Sequence, residues 1–272
     1  MGTMDDSSRY WGRSYPWPED GGEWSHHWGG VDAQWHSTLL PRIRKFLPAR
    51  RVLEIAPGRG RWSRYLIPEA EAYDGVDFAP ECIAFCRQQF EGAGHARFHV
   101  NDGQSLPMIA AESVDFAFSH DSLVHVEIDT LNAYSRELAR VLAPDGVAFI
   151  HHSNLGEFPA AAHPLSKGLA GLSARSRLVG KLFRGAELTD WHGRGASVTA
   201  ANALAGALEA GLSCIAQEIV SCGPNDIDCF SVFARPGSRW DRPHRLLRNP
   251  DFAAEARSAA VVAELYASLP PA

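Results

Sequence analysis

Between Arg51 and His152, short apolar runs alternate with helical stretches, and no other feature of this chain limits its fold so tightly. The runs are Val52 to Ile55, Ala72 to Val76, Ala96 to Val100, Val114 to Ser119 and Val147 to Ile150. Between them, Trp62, Tyr65 and Leu66 share one helical face, as do Leu131, Tyr134, Leu138, Val141 and Leu142. Strand-length runs separated by helices make parallel strands with crossover connections, and right-handed crossovers place helices on both faces of a doubly wound α/β sheet. Pro144-Asp145-Gly146 supplies a turn into the fifth strand. Leu212 to Val220 and Cys229 to Ala234 add two more strands, so seven are expected.

The flanks follow other rules. Residues 1–30 are rich in Gly, Trp, His and acidic groups and show no period, which predicts an extended arm; Trp11, Trp17, Trp24, Trp28 and Trp35 crowd into the first 35 positions. A kinked helix is expected after Asp32 as N-cap, interrupted at Pro41. From Leu155 to Gly195, scattered glycines and the basic run Lys167, Arg175, Arg177, Lys181 and Arg184 predict an inserted, partly helical lid. Thr199 caps a helix to Ala210, and another runs from Phe252 to Leu269. The expected organisation is an arm and helix at 1–50, a ligand-binding half at 51–154, the lid at 155–198 and a closing half at 199–272.

A net charge of -6 argues against a protein that grips nucleic-acid phosphates. The five cysteines are odd in number and lack C-x-x-C pairing, as expected of reduced thiols in the cytoplasm. No apolar run approaches the roughly 18 to 20 residues that span a bilayer, so no membrane partner is expected.

The first strand runs through Glu54-Ile55-Ala56-Pro57-Gly58-Arg59-Gly60 into a helix, and the second ends at Asp77, 19 positions beyond Gly58. Glycines let backbone turn sharply and lie against a ligand, the helix start offers free N–H groups, and a carboxylate after the second strand accepts from both ribose hydroxyls. A dinucleotide site wants a third glycine, but Ser63 stands there with bulky Trp62 beside it. Glu54 suits an amino-bearing ligand better than a pyrophosphate. S-adenosylmethionine is therefore favoured over NAD(P), with a nicotinamide oxidoreductase the distant alternative.

The stretch Val52 to Gly60 resembles the first motif of class I S-adenosylmethionine-dependent methyltransferases, with Ala56 where most members carry glycine. Asn101-Asp102-Gly103, Ser119-His120-Asp121-Ser122 and Leu142-Ala143-Pro144-Asp145-Gly146 are similar to the later motifs in order. The resemblance implies a Rossmann-like sheet of seven strands, the last antiparallel. It implies cofactor contacts from Glu54, Ala56, Gly58, Gly60, Trp62, Asp77, Phe78, Asp102, Gly103 and Ser119, with S-adenosylhomocysteine as product. Asp102 taken alone also suits a turn, and Ala56 suits the motif unless its φ is positive.

On the acceptor side, His120, His125, His151 and His152 follow strands four and five with Asp121 and Asn154. A histidine with a neighbouring carboxylate can take the proton from an alcohol, so His152 or His125 is the expected base, oriented by Asp121. Strand alternation admits only one of His151 and His152 to the cleft, and His125 equally suits a plain helix-start position. His120, His151, Asn154, Trp35 and His36 are the expected substrate contacts. A divalent metal is not expected, since too few carboxylates gather there. The segments around Trp35-His36, Asp121 to Glu127 and His151 to Gly156 resemble methyltransferases of polysaccharide and glycosylated natural-product pathways. That implies a sugar or glycosylated small molecule as acceptor, and it is compatible with a homo-oligomer. N-methylation of an aminosugar or another small amine is the alternative. The arm, hinged at Gly29-Gly30, is the expected cover.

Overall fold

The computed structural model describes residues 14–158, 193–221 and 226–267. Eight strands among them form one sheet: β1 Ala49–Ile55, β2 Ala70–Asp77, β3 Ala96–Val100, β4 Val114–Ser119, β5 Leu142–Ser153, β6 Ser213–Val220, β7 Asp228–Ala234 and β8 Arg245–Asn249. Their order is β3-β2-β1-β4-β5-β7-β6-β8. The helices are α1 Val31–Gln34, α2 Leu40–Ile43, α3 Ser63–Leu66, α4 Pro80–Gln89, α5 Ile128–Val141, α6 Ala200–Glu209 and α7 Phe252–Ala267.

β1 to β5 are parallel, and β7 runs antiparallel to both β5 and β6. The seven expected strands are all present. The eighth, β8, pairs in parallel with β6 at the sheet edge, and its residues 245–248 are exposed. An edge strand without a buried face has no alternation to reveal it. The turn expected at residues 144–146 lies inside β5 instead, where the pairing with β4 shifts register.

Successive side chains of a strand face opposite ways, which divides the core in two. Leu53, Ile55, Ala117, Ala148 and Ile150 pack under α5 and α6 with Leu131, Tyr134, Leu138 and Ala203. Val52, Phe116, Phe118, Phe149 and Phe230 pack on the other face with Trp35, Leu39, Ile43, Trp62 and Leu66. Thr199 caps α6 through a reciprocal bond pair with Asn202.

The described part of the arm is not extended. Gly22–Trp28 forms a 3₁₀ helix bracketed by Gly21 and Gly29 in left-handed backbone conformations. Gly30, not Asp32, stands at the N-cap of α1, and Asp32 accepts from the Tyr65 hydroxyl. A π turn, Trp35–Leu39, joins α1 to α2. Gly29 packs on α7, where a Cβ would lie 2.8 Å from Ala263 Cβ and 2.9 Å from Ala260 Cα, whereas a Cβ on Gly30 would meet nothing within 4 Å. Arg42 ties this layer down, donating through Nε and Nη2 to Glu218 at 2.7 Å each and through Nη2 to Glu255 at 3.1 Å. Residues 159–192, which contain most of the expected lid, lie outside the described residues.

Candidate active site

The carboxyl ends of β1, β2, β4 and β5 meet at one edge of the sheet, where doubly wound folds bind ligands. The glycine turn sits there. Ala56, Gly58 and Gly60 have φ of 57°, 56° and 80°, so the Ala56 position does require the left-handed conformation that favours glycine. A Cβ on Gly60 would lie 2.6 Å from the Phe90 ring, and one on Gly58 would lie 2.8 Å from the Trp17 ring. Asp77 Oδ2 accepts from the Gly58 N–H at 3.0 Å and Oδ1 from the Ala79 N–H at 2.9 Å. Burial pushes the Asp77 carboxyl up to about 6 against these donors.

Glu54 is turned into the core. Its Oε2 accepts from Ser63 Oγ at 2.7 Å and from the Tyr73 hydroxyl, and burial lifts it to about 7. Trp62 is buried under Trp35, with rings 6.2 Å apart. Phe78 packs with Trp17 and Cys82 beside Asp77. Asp102 is exposed and spends its oxygens on a turn, accepting from the N–H groups of Gln104 and Ser105 and from Ser105 Oγ. Gly103 is buried with φ 82°. Ser119 faces the α5–α6 side of the sheet, fully buried, with no hydrogen-bond partner for Oγ among the described residues.

The histidines separate by the pleat. His152 faces the α6 side, where Nε2 meets Ser231 Oγ at 2.7 Å and Nδ1 meets the Ser153 carbonyl at 2.8 Å. With both nitrogens engaged and burial lowering it to about 4, it is a sheet residue and not the expected base. His151 faces the opposite side, toward Asp121 and Asp228, and is itself buried. Its Nδ1 lies 3.2 Å from the Asp121 N–H and 3.4 Å from Asp121 Oδ1, and its Nε2 lies 3.7 Å from Asp228 Oδ2. Burial alone would lower His151, but the carboxylates on either side outweigh it and raise it. His120 Nδ1 is 3.5 Å from Asp121 Oδ2, and burial pushes this ring well below the usual imidazole range.

Asp121 has φ 62°, a strained conformation for a non-glycine residue. Arg61 donates to its Oδ2 at 2.7 Å. Burial would raise its carboxyl, yet His120, Arg61 and His151 hold it well below the usual range. His125 stands beside this group, with Nδ1 3.1 Å from the Gly193 carbonyl, and is lowered to about 4 by burial and by Arg194. Asn154 is not placed to bind an acceptor: its amide donates to the Asp226 carbonyl and accepts from the Ala200 N–H. Trp35 is stacked on Tyr65 at 4.7 Å in the core, and His36 is exposed.

Three residues escaped the sequence. Arg61, directly after Gly60, was in view without a charge partner to mark it. Arg194 and Asp228 form a forked ion pair, Nε to Oδ1 at 2.9 Å and Nη2 to Oδ2 at 2.8 Å. Donor atoms of His120, Asp121 and His151 fall within 4.8 Å of one another, near enough to consider a metal. The guanidinium of Arg61 already occupies one Asp121 oxygen, and Arg194 matches Asp228. A dication would therefore find no carboxylate uncompensated.

This sheet order, with the glycine turn after β1 and the carboxylate after β2, defines a Rossmann-like methyltransferase fold. The family model described as a methyltransferase domain matches residues 52–146. Over 119 residues it is 36% identical to the biotin biosynthesis bifunctional protein BioHC of Cellvibrio japonicus, covering 42% of this chain and 22% of that protein. A non-reducing polyketide synthase of Aspergillus terreus is 25% identical over 114 residues, covering 40% of this chain and 4% of the synthase. The chain thus spans less than a quarter of either relative. Among solved structures, the PH0226 protein of Pyrococcus horikoshii shares the fold with TM-score 0.54 and 21% identity, covering 75% of this chain and 90% of that one. An S-adenosylmethionine-dependent methyltransferase of Clostridium acetobutylicum does so with TM-score 0.53 and 14% identity, covering 78% and 92%.

Proposed function

We propose that the chain transfers a methyl group from S-adenosylmethionine to a hydroxyl of a sugar or sugar-like small molecule, with His151 as the base. The observation that carries this reading is the juxtaposition of His151 Nδ1 and Asp121 at the ends of β5 and β4, beside the glycine turn. The turn fits the cofactor. Gly58 and Gly60 hold the turn in left-handed conformations that favour glycine, and Asp77 keeps lone pairs for ribose hydroxyls after accepting two N–H bonds. Trp17 lies against Gly58, so the arm and the cofactor share this surface.

When bound, the cofactor supplies an electrophilic methyl on a sulfonium sulfur. The residues do the rest. Holding the acceptor oxygen in line supplies much of the acceleration, and a base matched to neutral pH supplies on the order of 10²–10⁴-fold more. Once the acceptor hydroxyl displaces the long Asp121 N–H bond at 3.2 Å, His151 Nδ1 receives the acceptor proton, while Asp121 and Asp228 stabilise the imidazolium. Trp62 and Trp35 exclude water from that side.

The preference for oxygen over nitrogen rests on this base, because an amine acceptor needs less help in losing its proton. The test is S-adenosylhomocysteine release against a panel of sugars, nucleotide sugars, glycosylated small molecules and aminosugars. Release with hydroxyl acceptors that His151→Gln abolishes supports the reading. Release with amines alone, unaffected by that change, overturns it.

A further inference from the structure

Asp228 is the most completely buried carboxylate of the site, with a fully enclosed side chain at the start of β7. A charge so placed must be paired, and the Arg194 fork pairs it. The fork would neutralise the carboxylate in any orientation. Here Oδ2 also points at His151 Nε2, 3.7 Å away, a nitrogen with no hydrogen-bond partner among the described residues. The opposite ring nitrogen, Nδ1, receives the Asp121 N–H at 3.2 Å. An imidazole that accepts at Nδ1 carries its proton on Nε2, and Asp228 stands where that proton points.

The side chains therefore line up as Arg61, Asp121, His151, Asp228, Arg194, with charge alternating along the row. Asp121 is its most open member, with 24% of its side chain exposed against 5% for Arg61, 2% for His151, 0% for Asp228 and 10% for Arg194. One end of the row adjoins the glycine turn. The other, Arg194, lies two residues past the segment 159–192.

We propose that Asp228, held by Arg194, is a positioning residue for methyl transfer: it fixes His151 with Nε2–H inward, so that the Nδ1 lone pair is held toward the Asp121 N–H, where the acceptor hydroxyl would take its place. This rests on the proposed role of His151. A hydrogen bond across the 3.7 Å gap needs a closure of less than 1 Å, which is common as a substrate complex tightens. The groups that face His151 are Asp121 and His120 from the end of β4, Asp228 from β7, Arg61 beyond Asp121, and His152 beside it in β5.

The test needs no acceptor. The full chain is labelled with ¹⁵N-histidine, saturated with S-adenosylhomocysteine and followed by long-range ¹H–¹⁵N spectra across pH, with His151→Gln to assign the signal. In the wild type, neutral His151 carries its proton on Nε2. In Asp228→Asn its titration midpoint falls by about one pH unit, as expected for losing a neighbouring opposite charge. In Arg194→Lys, whose ammonium cannot hold both oxygens, the midpoint rises because more of the Asp228 charge falls on the ring. The second variant also carries the test if the first does not fold. An unchanged tautomer and midpoint in the folded variants would mean a structural ion pair only, and would overturn the proposal. Once an acceptor is found, Asp228→Asn lowers kcat by about 100-fold, within the range for general base catalysis, with cofactor affinity within twofold. If no acceptor supports turnover while the spectra behave as stated, the methyl-transfer reading fails and the positioning of His151 stands.

Discussion

Replacing Glu54 with glutamine removes a buried charge while keeping the shape of the side chain. Glu54 is 1% exposed, and burial lifts its carboxyl from an ordinary 4.5 to about 7 despite the hydroxyls of Ser63 and Tyr73. The folded protein therefore holds this proton to higher pH than the unfolded chain does. Its contribution to stability is full below pH 4.5 and is lost as pH rises through 7. At about 1.4 kcal/mol for each pKa unit, a rise of about 2.5 units amounts to about 3 kcal/mol. Glutamine cannot ionise, so the variant keeps that stability at pH 8. Urea unfolding of both proteins at pH 5, 6, 7 and 8 measures the effect. Any constant offset from exchanging acid for amide cancels in the comparison, and the difference should grow by roughly 2–3 kcal/mol across the series in favour of the variant. A difference that stays flat with pH would show that Glu54 is not buried as a titrating acid, and the account of the β1 terminus would fail with it.

Other outcomes follow from the same site. Asp77→Asn should weaken S-adenosylhomocysteine binding about 100-fold in calorimetry, the scale of one or two charge-assisted hydrogen bonds. Wild-type affinity should rise with pH through about 6 as the Asp77 carboxylate forms, and a pH-independent affinity would contradict the ribose role. Ala56→Gly relieves about 1–2 kcal/mol of left-handed strain and gives back about 0.4–1 kcal/mol in unfolded-chain entropy. Its melting temperature should therefore rise by roughly 1–3 °C, and a fall would deny the strain. Gly195→Ala puts a Cβ 2.0 Å from the Val126 carbonyl oxygen. That overlap of backbone and side chain should cost about 3 kcal/mol in chemical denaturation, and an unchanged midpoint would refute the packing between residue 195 and the loop before α5.

The sheet was legible because buried parallel strands must be apolar and of limited length, a rule that β1, β2, β4 and β5 follow at their buried ends. β8 was not, since Leu246 and Leu247 are exposed and nothing in their spacing separates them from a loop. The edge proposed for the cofactor was marked by Gly58, Gly60 and Asp77, whose residue types are tied to backbone geometry. Ala56 could not be judged from its name, because its cost depends on the sign of φ. The choice between His151 and His152 required the phase of the pleat, which a run of apolar residues on both faces does not reveal. Arg61, Arg194 and Asp228 were hidden for a different reason. An ion pair between residues 34 positions apart leaves no local pattern, and only the antiparallel return of β7 beside β5 brings Asp228 to His151.

Arg42 carries a consequence for how the chain is made. Its guanidinium is held by Glu218 and Glu255, 176 and 213 residues downstream, and lies over the rings of Phe230 and Phe252. During synthesis, the layer formed by α1 and α2 has no final seat until residue 255 has left the ribosome. The face of the sheet it covers, with Phe118, Phe149 and Phe230, stays open until then. Completion of this face is therefore a late and long-range step, the kind that slows folding and exposes a nascent chain to aggregation.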